Sequence, residues 1–101
     1  MAMVAITQEP LDLPALAAAV SGAGDGAVAS FAGLVRDHNQ GRGVLFLEYE
    51  AYEPLAIKAF ERISAEIASR WPDVQLALHH RTGRIEIGHA SVAIEIGRAH
   101  V

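Results

Sequence analysis

Cysteine is absent from this 101-residue chain, and lysine is nearly so: Lys58 is the only one. Without cysteine there is no disulfide framework, no thiolate zinc site and no thiol nucleophile. That fits a reducing compartment, so a cytoplasmic location is expected. No apolar run approaches the roughly 20 residues needed to cross a bilayer. MAMVAITQEP lacks the basic start and long apolar core of a secretion signal, and no membrane association is expected. A net charge of −4 lacks the basic footprint of a nucleic-acid binder, so no nucleic-acid partner is expected.

Half of the residues are hydrophobic, enough for a core in one domain spanning residues 1–101. Apart from Lys58, all the positive side chains are arginine, the better residue for planar, bidentate anion recognition. Arg36 and Arg42 share one loop, Arg81 and Arg84 flank Gly83, and Arg98 lies near the end.

LDLPALAAAV, residues 11–20, reads as a short helix, with Asp12 as N-cap, Pro14 in the first turn and Gly22 as the stop. Residues 27–35 read as a strand of small and apolar residues, buried on both faces. Residues 36–43 form a loop and 44–50 a second strand, with Leu45, Leu47 and Tyr49 on one face and Glu48 and Glu50 on the other. Residues 54–71 carry the strongest helical pattern, opened by Pro54 and ended by Pro72. Its apolar stripe is Ala56, Ala59, Phe60, Ile63 and Ile67. Three short strands follow, around residues 74–78, 85–87 and 92–96. Short connections imply antiparallel pairing. The expected class is α+β: a mostly antiparallel sheet with two helices packed on one face, of the ferredoxin-like or α/β-hammerhead type.

Four places could carry chemistry. In the loop, Arg36, His38, Asn39 and Arg42 stand beside glycines that let a backbone approach an oxyanion. The plain alternative is a solvated hairpin whose Asn39 and Gly41 serve turn geometry. His79 and His80 are adjacent in a strand and point to opposite faces, so they cannot chelate one ion, and no metal is expected. Glu48 and Glu50 read as the polar face of a strand rather than an acid/base pair. Arg98 and His100 follow the last strand, where a site and an idle terminus are equally expected. No serine triad, phosphate loop or dinucleotide fingerprint is present.

Taken together, GAVASFAGLVRDHNQG at 26–41, LEYEAY at 47–52, RWP at 70–72, HRTGRIEIGHASVAI at 80–94 and Ala99-His100 resemble the large, catalytic subunit of molybdopterin synthase. The combination, in order and at family-like spacing, is specific where no single piece is. The resemblance implies sulfur transfer. A ubiquitin-like small subunit with a thiocarboxylate at its Gly-Gly terminus would deliver sulfur to cyclic pyranopterin monophosphate, giving the dithiolene of the molybdenum cofactor. It implies no cofactor, and a homodimer with a small subunit at each end, a heterotetramer. It places Leu34, Val35 and Arg36 against the substrate, Arg36 in an anion pocket, and His100 in the same pocket. The family's two catalytic lysines lie beyond the position of Val101, and Lys58 matches neither. The catalytic residues are therefore unknown within 1–101, and little or no synthase activity is expected of these residues alone. A catalytically inactive dimerisation or partner-binding module is the alternative. An uncovered sheet face at Val92, Ile94 and Ile96 would call for a dimer partner.

Overall fold

The computed structural model describes residues 2–39, 41–43, 46–50 and 52–99, with the side chains of Asn39, Arg42, Leu47 and Tyr49 outside that description. The elements are β1 (Ala2–Thr7), α1 (Leu13–Ala19), β2 (Ala27–Leu34), β3 (His38–Asn39), β4 (Arg42–Gly43), β5 (Phe46–Tyr49), α2 (Glu53–Arg70), β6 (Gln75–Arg81), β7 (Gly83–Glu86) and β8 (Ala90–Arg98). The main sheet has the order β1-β6-β8-β2, with β1 parallel to β6 and the other two pairings antiparallel. The small pairs β3-β4 and β5-β7 stand beside it. The α+β class with two helices is as the sequence indicates.

Strand β1 was not anticipated. Its partner β6 lies some seventy positions away, and nothing local in AMVAIT signals that pairing. Helix α1 starts as expected: the Ala15 N–H donates to Asp12 Oδ1 at 3.1 Å, meeting one of the unpaired donors of the first turn. It packs its Leu16 and Val20 on Ala77 and Ala93 of the sheet. The register puts Ala77, Ala93, Glu95 and Gly97 on that one face. Small residues there let the helix lie close. A Cβ on Gly97 would fall 1.6 Å from the Val20 carbonyl oxygen.

The expectation of helices on one face alone is corrected. Leu76 and Leu78 point to the opposite face and are nevertheless 3% and 7% exposed, so both faces of β6 are covered. Helix α2 runs along β1. Its half-buried residues are Ala56, Ile57, Phe60, Ser64 and Ile67, while Ala59 and Ile63 are exposed. The stripe is thus rotated toward Ile57 and Ser64, because the helix seats one flank of the apolar arc rather than its centre.

The expectation for β2 is also corrected. It is an edge strand, with Phe31 and Leu34 each 59% exposed, rather than one buried on both faces. Its apolar composition matches burial, but this chain covers only one edge of it. The strand placed at residues 44–50 is found as β5, paired with β7. The facing of Leu45, Leu47 and Tyr49 lies outside the described residues, while Glu48 and Glu50 are exposed.

Candidate functional site

The segment that ends β2 is fixed by backbone. The register of β2 on β8 shifts between Gly33 and Leu34. The Val35 N–H then donates to the His89 carbonyl at 3.0 Å, and the Gly88 N–H donates to the Val35 carbonyl at 2.7 Å. Gly88 adopts φ +81°, which a side chain would resist, and this turn presents both groups to Val35. Val35 is buried while Leu34 and Arg36 are exposed. Arg36 therefore leaves the sheet immediately after its last backbone anchor. The loop beyond it is a tight hairpin: His38 pairs with Gly43 and Asn39 with Arg42. The His38 ring takes a partner beside it, Asp37 Oδ1 at 2.8 Å. Of the described loop residues, Arg36 is the one next to the Val35 anchor.

The last described residues before His100 lie at the other end of this strand pair. Ala27 pairs with Arg98 at the start of β2, and Leu34 pairs with Ala90 at its far end. Eight residues of strand separate these ends, roughly 25 Å at 3.3 Å per residue. Arg98 is tied to Asp73 at 3.2 Å, and its carbonyl accepts from the Gly26 N–H at 2.9 Å. His100 itself lies outside the described residues. Its neighbour Ala99 is at this second end, beside Gly26 and far along the strand pair from Arg36.

Three features escaped the sequence reading. A cleft of about 380 Å³ lies between β1, the residues before α1 and β6. Thr7, Glu9, Pro10, Leu11 and Leu16 line it, with His79 among them. Burial there holds His79 below the usual histidine range, so it is a neutral acceptor at pH 7. Second, Glu95, 3% exposed, accepts a hydrogen bond from Ser30 Oγ. The alternation that marks Val92, Ile94 and Ile96 as apolar hides a carboxylate on the reverse face. Third, the Arg81 guanidinium sits at the Arg36 end of the sheet, its Nε donating to the Gln8 carbonyl at 3.2 Å. His79 and His80 do point to opposite faces of β6, both partly buried. Among the described residues, no three of His, Cys, Asp or Glu gather where a metal could sit. No described helix is long and apolar enough to cross a membrane.

Residues 6–100 match the family described as MoaE protein. The chain belongs to this family. Among curated MoaE relatives, the molybdopterin synthase catalytic subunit of Nostoc sp. is 43% identical over 97 residues, covering 95% of this chain and 59% of the relative. The chain thus spans about three fifths of that relative's length. The molybdopterin synthase of Staphylococcus aureus superposes with a TM-score of 0.88 at 33% identity, covering 95% of this chain and 70% of that one. A complex of subunits 1 and 2 of the molybdopterin-converting factor from Helicobacter pylori superposes at 0.77 with 25% identity, covering 96% of this chain and 66% of that one. The quoted motif run from Gly26 to Ile94 lies entirely within the MoaE match.

Proposed function

We propose that this chain is the precursor-binding part of a molybdopterin synthase catalytic subunit, working in molybdenum cofactor biosynthesis in the cytoplasm. Its substrate is cyclic pyranopterin monophosphate, and its sulfur donor is a ubiquitin-like small subunit ending in a thiocarboxylate. Leu34, Val35 and Arg36 form the floor and the anion-binding side of the pocket. Arg36 holds the phosphate or the pterin edge by charge-assisted hydrogen bonds, the strong class. The complex of two converting-factor subunits among the structural neighbours supports the pairing with a small subunit.

The observation that carries this reading is the backbone clamp of Val35 by Gly88 and His89. It presents Arg36 from a rigid strand end rather than from a mobile loop, as a positioned binding residue requires. The distance between Arg36 and Ala99 adds a condition. If Arg36 and His100 share one pocket, they come from two copies of the chain, so the working unit is a homodimer that becomes a heterotetramer with two small subunits.

Equilibrium titration with cyclic pyranopterin monophosphate tests the assignment. The expected result is saturable binding that Arg36→Ala weakens by about tenfold or more, the loss typical of one charged hydrogen-bond donor. Absence of binding, or equal binding without Arg36, overturns it.

A further inference from the structure

Arg81 differs from the arginines whose ion pairs are defined. Arg70, Arg84 and Arg98 each hold a carboxylate, those of Glu66, Glu86 and Asp73. Arg81 is held by two neutral acceptors instead, the Gln8 carbonyl at 3.2 Å and His89 Nδ1 at 3.4 Å. Among the described residues no carboxylate pairs with it. The residue is partly buried at the end of β6, where the next peptide is fixed by the Thr82 N–H donating to the Thr7 carbonyl at 2.8 Å. A guanidinium carries five N–H donors. The two contacts use the Nε–H and one terminal N–H, and among the described residues the rest of the fork stays available.

The position matters as much as the unmet charge. The ring of His89 touches Arg81, and the carbonyl of His89 accepts from the Val35 N–H. Arg36 is the next residue. His89 thus links the two arginines through one side-chain and one backbone contact. Glu86, on the following strand β7, is occupied by Arg84 Nε at 2.8 Å. An N–H donated to His89 Nδ1 requires that nitrogen to carry no proton, so the ring hydrogen is on Nε2. That adds a further donor at the same end.

We infer that Arg81, positioned by Gln8 and His89, is a second oxyanion-binding residue beside Arg36, and that it takes the phosphate group of the small-molecule substrate. The cost of orienting the fork is met in the folded chain, which favours binding. This inference rests on the proposed function for the identity of the ligand, but not for the existence of an anion site.

The test is a titration of the protein with inorganic phosphate, with cyclic pyranopterin monophosphate and with a peptide ending in a Gly-Gly carboxylate. It is read by calorimetry and by the Arg81 Nε–H resonance. Arg81→Ala, Arg81→Lys and Arg36→Ala are compared with wild type, and Arg62→Ala, on the exposed side of α2, serves as control. The expected result is an Arg81 Nε–H shift with phosphate and with the pterin. Arg81→Ala then weakens both by about tenfold, Arg81→Lys weakens them less because the charge stays while the fork is lost, and Arg62→Ala changes neither. If Arg81→Ala is poorly folded, the wild-type resonance and Arg81→Lys decide. Pterin binding lost in Arg36→Ala but within twofold of wild type in Arg81→Ala overturns the inference and leaves the function standing. Phosphate bound through Arg81 with no pterin binding keeps the anion site and removes the proposed function. Dependence on Arg81 of the peptide alone assigns the site to a chain terminus and overturns the phosphate assignment. No response of Arg81 to any probe overturns it outright.

Discussion

Arg36 and Arg98 stand at opposite ends of one antiparallel strand pair. Leu34 pairs with Ala90 two residues before the first, and Ala27 pairs with the second. The sequence places both ends in one site by family resemblance, yet a single chain holds them roughly 25 Å apart along β2. A site using both ends needs two chains, and dimerisation is then part of building the pocket.

Gly97 should be intolerant of a side chain. A Cβ there would meet the Val20 carbonyl at 1.6 Å, and that contact is backbone, which cannot swing aside. Gly97→Ala is expected to lower stability by about 3 kcal/mol or more, since overpacking at a helix–sheet contact forces the elements apart. Gly24→Ala, with nothing within 4 Å, is the control and should be near neutral. Denaturant unfolding of both variants checks this.

Ser30 should matter more than an exposed serine usually does. Its hydroxyl donates to the buried carboxylate of Glu95. Removing the donor leaves a buried acceptor short of a partner, at a cost of about 1–3 kcal/mol. Ser30→Ala is expected to show that loss and Ser30→Thr to show little of it. Equal stability of wild type and Ser30→Ala would contradict the role given to the hydroxyl.

His79 should give stability a pH dependence. Burial disfavours its charged form, so its folded pKa lies below the ordinary value of about 6.5. Between the two values the unfolded chain binds more protons. The contribution is therefore complete above pH 6.5 and is lost as pH falls from there through the folded pKa. Melting temperatures at pH 7.5 and 5.5 should fall further for wild type than for His79→Gln. A parallel fall in both would show that His79 titrates alike in both states.

The uncovered edge should drive association. Phe31 of β2 lies on the same sheet face as Ile94, its direct partner, and is 59% exposed. The radius of gyration is 14.8 Å, above the roughly 13 Å of a compact domain of this size. Phe31→Lys is expected to shift the protein toward monomer in sedimentation, because a charge on this face opposes burial against a second copy. An unchanged sedimentation profile would move the contact elsewhere.

What could be read from the sequence follows the range of each signal. Helix α1 announced itself through Asp12, Pro14 and the alanine run, and α2 through Pro54 and Pro72, because caps and breakers act within a few residues. Strand β1 was invisible because its partner is β6, across the whole length of the chain. The edge position of β2 was hidden because AVASFAGL has the composition of a buried strand, and exposure is decided by which neighbours are absent. In the candidate site, Arg36 was legible through the motif around it. Arg81 was visible only as one of two arginines flanking Gly83. Its distinction is that, among the described residues, no carboxylate pairs with it, which tertiary placement rather than local sequence decides. The remoteness of Ala99 from Arg36 is a matter of register, which motif spacing does not encode.

Mixing two defective proteins tests whether the pocket is shared between chains. Arg36→Ala and His100→Ala are each expected to bind cyclic pyranopterin monophosphate weakly. After the two are dissociated and reassociated together, mixed dimers contain one pocket with both lesions and one with neither. Wild-type-affinity binding should then return in part, with a stoichiometry below that of wild type. No recovery, in samples where mixed dimers are shown to form, would contradict the shared pocket.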